Sequence, residues 1–127
     1  MISIILINYY SSHFIKKTIG SLKAQNIPIE IIVLDNSEND LEANALKNEK
    51  NIRLIINEKN LGFAKACNIG FENASNEYIL LINPDAYLFP NCLNKLVDFL
   101  NNNPNAAAVS PVVYWDEAKK FFLPPNP

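Results

Sequence analysis

The chain has 127 residues, 49% hydrophobic and 19% charged, with a formal net charge of −2. That balance is ordinary for a soluble globular protein and provides no basic surface for DNA or RNA. One domain is the natural count, and it can bury about two-thirds of the surface its unfolded chain exposes.

Taken in chain order, the elements alternate. Ile2–Ile7 is a short apolar run, the pattern of a buried parallel strand. Asn8 to Ser12 break it, and Ser11 or Ser12 can cap a helix with Phe14, Ile15, Ile19 and Leu22 on one face. Gly20 weakens that helix slightly. Asn26–Pro28 turn into a second strand, Ile29–Leu34, which ends at Asp35-Asn36-Ser37. Asp40–Lys47 is a short helix, and Ile52–Ile56 a third strand followed by Asn57–Leu61. Gly62 opens a helix whose apolar spacing runs through Phe63, Cys67, Phe71 and Ala74, with both phenylalanines expected in the core. Glu77–Ile82 is a fourth strand closed by Asn83-Pro84-Asp85. Pro90 suits the first turn of a helix facing inward through Leu93, Leu96, Val97 and Leu100. After a loop, Ala106–Val113 is expected as a fifth strand. Tyr114–Lys120 reads as a hairpin turn or short helix, and Phe121–Pro127 has no periodicity.

Strands alternating with helices predict an α/β domain over residues 1–113. Its doubly wound, mostly parallel sheet has about five strands with helices on both faces. Residues 114–127 are expected to begin a truncated acceptor-side region or an extended tail. Cys67 and Cys92 lie far apart without metal-ligand spacing, so a zinc site or disulfide framework is not expected. No apolar stretch approaches the roughly 20 residues of a membrane span, and Ile2–Ile7 lacks a basic leader. A reducing cytoplasmic setting follows, with contact at the inner face of a membrane left open.

In such folds ligands bind at the C-terminal strand ends. Those ends carry Asn8-Tyr9, Asp35-Asn36-Ser37, Asn60-Leu61-Gly62-Phe63 with Asn68, and Asn83-Pro84-Asp85. Asp35 can accept from an imide or a ribose hydroxyl, and Tyr9 offers a flat face to a base. Gly62 at a helix start admits a phosphate. Asp85 is a hard oxygen ligand suited to Mg²⁺ or Mn²⁺ shared with substrate phosphates. Each residue also has a plain reading: Asp35 as a turn cap, Asn60 and Gly62 as a helix cap, Asn68 as a structural tie. His13, Lys16, Lys17 and the acids of Glu38–Glu42 read as solvated, and Tyr114 and Trp115 as packing for a following region.

The run Ile32-Val33-Leu34-Asp35-Asn36-Ser37, then Asn60-Leu61-Gly62-Phe63-Ala64, Asn68-Ile69-Gly70 and Glu77 through Asp85, resembles a family 2 glycosyltransferase of GT-A fold, within its rhamnosyltransferase-like branch. The resemblance covers Ile2 to about Val113. It implies that Asn8 and Tyr9 line a base pocket, and that Asp35 binds the base imide with Asn36 and Ser37 shaping its turn. Asn60 and Gly62 would approach the nucleotide, Asn83 the ribose or a metal water, and Asp85 a divalent Mg²⁺ or Mn²⁺. The donor would be a UDP- or dTDP-sugar and the acceptor a glycan or a lipid-linked hydroxyl, and the resemblance implies an inverting displacement in cell-surface polysaccharide synthesis.

Three departures stand out. The first acidic position of the family's metal motif is Asn83, an arginine common at Cys67 is absent, and few residues follow Asp85. Lys65 faces another direction on its helix, and Asp116 and Glu117 sit too early for the family's catalytic carboxylate. The catalytic residue is therefore unknown, and the general base is expected beyond the chain end. The competing reading is a non-catalytic nucleotide-binding or assembly module. A receiver domain is disfavoured because Asn8-Tyr9-Tyr10 stands where paired acids are needed, and a dinucleotide-binding dehydrogenase because no GxGxxG follows the first strand. Donor sugar, acceptor and oligomeric state are not fixed by the sequence.

Overall fold

The computed structural model describes residues 1–115. The chain separates into two compact units, one spanning Met1–Asn91 and one beginning at Cys92.

The first unit is built from β1 (Ile2–Asn8), α1 (Ser12–Lys23), β2 (Ile29–Asp35), α2 (Asp40–Lys47), β3 (Arg53–Ile56), α3 (Phe63–Asn73) and β4 (Tyr78–Leu81). The sheet order is β3-β2-β1-β4, and every neighbouring pair is parallel. β1 and β2 run in register from Ile2 opposite Ile29 to Asn8 opposite Asp35. All seven residues of β1 are buried, as a strand covered on both faces requires. Ile4, Ile5 and Leu6 have no exposed surface, and burying such a side chain stabilises by about 1.5–3 kcal/mol.

Alternate residues divide between the two faces of the sheet. On one face, Ile5, Ile7, Ile32 and Leu34 pack with Ala66 and Cys67 of α3, flanked by Ile55, Ile69 and Ala74. α3 comes very close: a Cβ added at Gly70 would lie 2.7 Å from Ile5 Cγ2. This corrects the expected helix face. Phe63 and Phe71 are 56% and 42% exposed, whereas Ala66, Cys67 and Gly70 are buried. A helix this near the sheet has room only for small side chains, so the phenyl rings turn outward. The other sheet face presents Ile4, Leu6, Ile31 and Val33, all buried. Ile15, Ile19 and Leu22 of α1 and Ala43 and Leu46 of α2 are the buried apolar residues of the first two crossover helices.

The second unit contains α4 (Cys92–Asn102), which buries Leu93 and half-buries Leu96, Val97 and Leu100. Ala106–Val113 is not a strand; among the described residues the sheet has four. Three successive alanines have weak strand preference, and Pro111 removes a ladder donor in mid-segment. Tyr114 makes an isolated bridge and Trp115 is 73% exposed. The expectations for residues 116–127, including Asp116, Glu117 and the rest of the 114–120 turn, lie outside the described residues.

Candidate functional site

All four strands are parallel, so their C-terminal ends share one edge. The chain builds outward from β1 to β2 and β3, then returns to the other side of β1 for β4. That reversal places a switch point between β1 and β4, where a crevice opens in folds of this kind. Asn8 and Asp35 end their strands side by side, and β4 pairs Leu81 with Ile5 before running into Asn83-Pro84-Asp85. Adjacent strands lie about 4.8 Å apart, so β2 and β4, flanking β1, run about 10 Å from each other. Asp35 and Asp85 therefore belong to the same edge of the sheet.

The residues on that edge divide into buried and exposed sets. Asn8, Asp35, Asn36 and Ser37 are at most 2% exposed. Tyr9, Asn60, Gly62, Asn83 and Asp85 are exposed. The buried set is tied together by side-chain hydrogen bonds. Asn8 Nδ2 donates to Asp35 Oδ1 at 2.9 Å, Ser37 Oγ at 3.0 Å and Glu42 Oε2 at 3.0 Å. Asn8 Oδ1 accepts from the Ser11 amide at 3.2 Å and the Ser11 hydroxyl at 3.0 Å. Ser37 Oγ also accepts from the Tyr10 amide at 2.9 Å. The side chain of Asn8 is thus committed within the protein.

Asp35 is committed on one side only. Its Oδ1 takes the Asn8 bond and one from the Ser37 amide at 3.1 Å. Oδ2 accepts from none of the described residues, yet no buried side-chain oxygen among them lacks a partner. Oδ2 is therefore the unbonded oxygen and carries what little exposure the residue keeps, on a carboxylate oriented by the bonds to Oδ1. Two left-handed residues flank this arrangement, Tyr10 at φ 52° and Glu38 at φ 53°. Side chains of this size rarely adopt that conformation, and such strain concentrates at working sites.

Asn36 joins the ends of β2 and β3. It accepts from Asn57 Nδ2 at 2.7 Å and donates weakly to the Gly62 carbonyl at 3.4 Å. Asn60 Oδ1 accepts from the Gly62 amide at 2.9 Å, shaping the turn into α3. Gly62 caps α3 at φ 78°, a conformation that a side chain would strain. Asn68 is exposed on α3. Tyr9 is 56% exposed, with its ring edge-on to Tyr10 at 4.9 Å between centroids.

Asn83, Pro84, Asp85 and Ala86 form a tight turn closed by the Ala86 amide on the Asn83 carbonyl at 3.1 Å. Pro84 takes the position for which its fixed φ is suited, and Asp85 stands next at the tip. The Asp85 carboxylate has no hydrogen bond to a described residue. Among the described residues no group of three His, Cys, Asp or Glu converges as a self-contained metal site. One exposed carboxylate is a donor suited to Mg²⁺ or Mn²⁺, which are usually held by one or two carboxylates with the rest supplied by phosphates and water.

Sequence reasoning missed Glu42, which read as solvated. Its carboxylate reaches from α2 to accept from Asn8 and from the Ser12 amide at 3.0 Å, capping α1 from another helix. Burial alone would raise its pKa; the bonds from Asn8 and Ser12, with nearby His13, outweigh that and hold it below the ordinary value. Asn57 was missed as the partner of Asn36. Neither has a local signal, because both partners lie far away in sequence.

The comparisons with known proteins agree with this geometry. The family model for glycosyl transferase family 2 matches residues 3–126. An uncharacterized glycosyltransferase of Haemophilus influenzae is 31% identical over 114 residues, covering 86% of this chain and 35% of that protein. A Pyrobaculum calidifontis mannosyltransferase solved with GDP-Man and Mn²⁺ superposes with a TM-score of 0.67 at 20% identity, over 78% of this chain and 32% of that one. Staphylococcus aureus TarS 1-349 with UDP-GlcNAc gives 0.66 at 22% identity, over 91% of this chain and 38% of that one. The chain spans less than half the length of the curated relatives it matches. Sequence motifs, sheet topology and the family match lead to one assignment: this chain belongs to glycosyl transferase family 2.

Proposed function

We propose that the chain binds a nucleoside diphosphate sugar across the C-terminal edge of its sheet, as the donor half of a glycosyl transfer to an acceptor hydroxyl. The observation that carries the reading is Asp35: a buried carboxylate, oriented through Oδ1 by Asn8 and the Ser37 amide, with Oδ2 left without a hydrogen bond. Such an oxygen can accept from a base imide or ribose hydroxyl without further ordering. Tyr9 supplies a face for the base, and Asn60 and Gly62 line the β3 side. Asn36 and Asn8 act by holding the edge in shape. Asn83 lies toward the ribose, and Asp85 holds a divalent cation, Mg²⁺ or Mn²⁺, with the diphosphate. When bound, the cation offsets negative charge developing on the departing diphosphate.

The finer reading follows the motifs. Asn83 in the first acidic position suits the rhamnosyltransferase-like branch, with a UDP- or dTDP-sugar as donor and a glycan or lipid-linked hydroxyl as acceptor. The displacement inverts the anomeric centre, and the base that deprotonates the acceptor comes from outside residues 1–115. The product belongs to polysaccharide or glycan synthesis. Cys67 and Cys92 form no disulfide, which supports a reducing cytoplasm as the setting, with work at the inner membrane face. No helix among the described residues is long and apolar enough to cross a membrane.

A second reading, a nucleotide-binding or assembly module without catalysis, is favoured by the single exposed carboxylate at the metal turn. Sugar transfer by the full-length protein to an acceptor separates the two. The binding claim itself is tested by thermal shift with UDP, dTDP and GDP, each with and without Mn²⁺. The expected result is stabilisation by UDP or dTDP that needs Mn²⁺, reaching about 2.7 kcal/mol at a hundredfold excess over Kd, and lost in Asp85→Ala. Equal stabilisation without the metal, or in the variant, contradicts the assignment.

A further inference from the structure

α1 has a second face that its apolar stripe does not explain. Thr18 and Ser21 on α1, and Gln25 in the turn that closes it, follow one another beside Ile15, Ile19 and Leu22, and Thr18 and Gln25 have no exposed surface. A polar group is costly to bury unless it is bonded, so its partners reveal its role. All three serve the segment that follows β4. The Thr18 hydroxyl donates to the Pro84 carbonyl, with a long contact to its own helix at Phe14 O, 3.4 Å. Ser21 Oγ accepts from the Leu88 amide at 3.2 Å while donating to the Thr18 carbonyl at 2.8 Å. Gln25 Nε2 donates to the Phe89 carbonyl at 3.1 Å and the Ser21 carbonyl at 3.0 Å. Lys17 Nζ sits 4.1 Å from the centroid of the Tyr87 ring.

One helix therefore grips a segment without regular structure at four of its residues. Three of the four grips are on backbone atoms, so they set the path of the chain whatever its side chains. The uppermost bond falls inside the turn that presents Asp85. Pro84 has no amide proton of its own, and its carbonyl belongs to the peptide plane that carries the Asp85 amide. The turn is closed from within by Ala86 on Asn83 and fastened from outside by Thr18.

We infer that Thr18 is a positioning residue for Asp85: it locks the peptide before the carboxylate and so presets the place where a cation and diphosphate are held. Ser21 and Gln25 fasten the downstream chain and keep the turn from swinging out. This inference rests on the proposed donor site and names the device that shapes it. Without the Thr18 bond the Asp85 turn samples several orientations, and each binding event must order it again.

The test compares Thr18→Val, which keeps the shape and removes the hydroxyl, with Thr18→Ser, which keeps the hydroxyl. Titration calorimetry with UDP is run with and without Mn²⁺, and hydrogen exchange of the Ala86 and Leu88 amides is followed in metal-free protein. Thr18→Val is expected to leave the metal-free UDP affinity unchanged, to lose about tenfold of the gain conferred by Mn²⁺, and to exchange Ala86 faster. Thr18→Ser is expected to recover most of that gain. Should Thr18→Val fail to fold, Ser21→Ala, which frees the Leu88 amide and removes a bond to the Thr18 carbonyl while keeping the Thr18 hydroxyl, is expected to show the same metal-specific loss at smaller size. An intact Mn²⁺ gain in these variants overturns the inference, as does an equal loss with and without Mn²⁺, which marks a merely structural bond. If the unmodified protein gains nothing from Mn²⁺, the donor-site reading itself fails and takes this inference with it.

Discussion

The two ends of the sheet each carry a carboxylate wrapped in hydrogen bonds, and they differ in one respect. At the end where the strands begin, Glu30 accepts on both oxygens. Oε2 takes bonds from Ser3 at 2.7 Å, the Ser75 amide at 3.0 Å and Asn76 at 3.3 Å, and Oε1 takes the Ser75 hydroxyl at 3.1 Å. Both oxygens are engaged, and the network fastens β1 and β2 to the entry of β4. At the end where the strands finish, Asp35 is held as firmly on Oδ1 while Oδ2 is unclaimed. We read the carboxylate engaged on both oxygens as a structural tie, and the one engaged on a single oxygen, fixed in orientation at the C-terminal edge, as the proposed ligand contact.

Substitutions that separate the two ends put this contrast at risk. The largest expected effect is at Asp35. Asp35→Asn places an amide where an imide donor would bind, and UDP affinity measured by calorimetry is expected to fall about 100-fold with the fold retained. Loss of folding would make Asp35 structural, like Glu30. Glu42→Gln comes next: it weakens the grip on Asn8 and uncaps α1, with an expected drop in UDP affinity of about threefold to tenfold and a loss of about 1 kcal/mol in urea unfolding. Glu30→Gln should show the opposite division, costing about 1 kcal/mol of stability while UDP affinity stays as it was. Any change in affinity there would erase the distinction between the ends.

The smallest effect is in acid. Bonds from Ser3 and Ser75 hold the Glu30 pKa below its ordinary 4.5 despite partial burial, and Glu42 is lowered from the same value. Carboxylates lowered on folding give stability that is complete above about pH 4.5 and is lost as pH falls through their folded values. Urea midpoints from pH 6 down to pH 3 are expected to decline mainly below pH 4.5, and less steeply in Glu30→Gln and Glu42→Gln. A decline already complete by pH 5 would assign acid sensitivity to other groups.

The sequence made the alternating fold legible because β1 and β2 are buried on both faces and so read as continuous apolar runs. It also marked the edge we propose as the binding edge, since topology alone fixes where parallel strands end. Packing distance was hidden. The spacing of Phe63, Cys67 and Phe71 is helical, but only the approach of Gly70 to Ile5 decides that small residues face the sheet. The apolar character of Ala106–Val113 likewise carried no information about a ladder partner. Within the site, the sequence marked positions and could not divide their labour. Asn8 and Asp35 look alike as polar strand ends, yet the amide is spent inside the protein and the carboxylate is half free. Glu42 looked solvated because its partners, Asn8 and the Ser12 amide, lie 34 and 30 residues away.

The central claim is that a nucleoside diphosphate is held at the C-terminal edge of the sheet between Asp35 and Asp85. Backbone amide chemical shifts recorded while UDP is added in the presence of Mg²⁺ test it most directly. The account predicts that the moving resonances fall at residues 9–11, 35–38, 60–63 and 83–86, while Glu30, Arg53, Ser75 and Asn76 stay still. Shifts concentrated on that second group, with Asp35 and Asp85 unmoved, would contradict it.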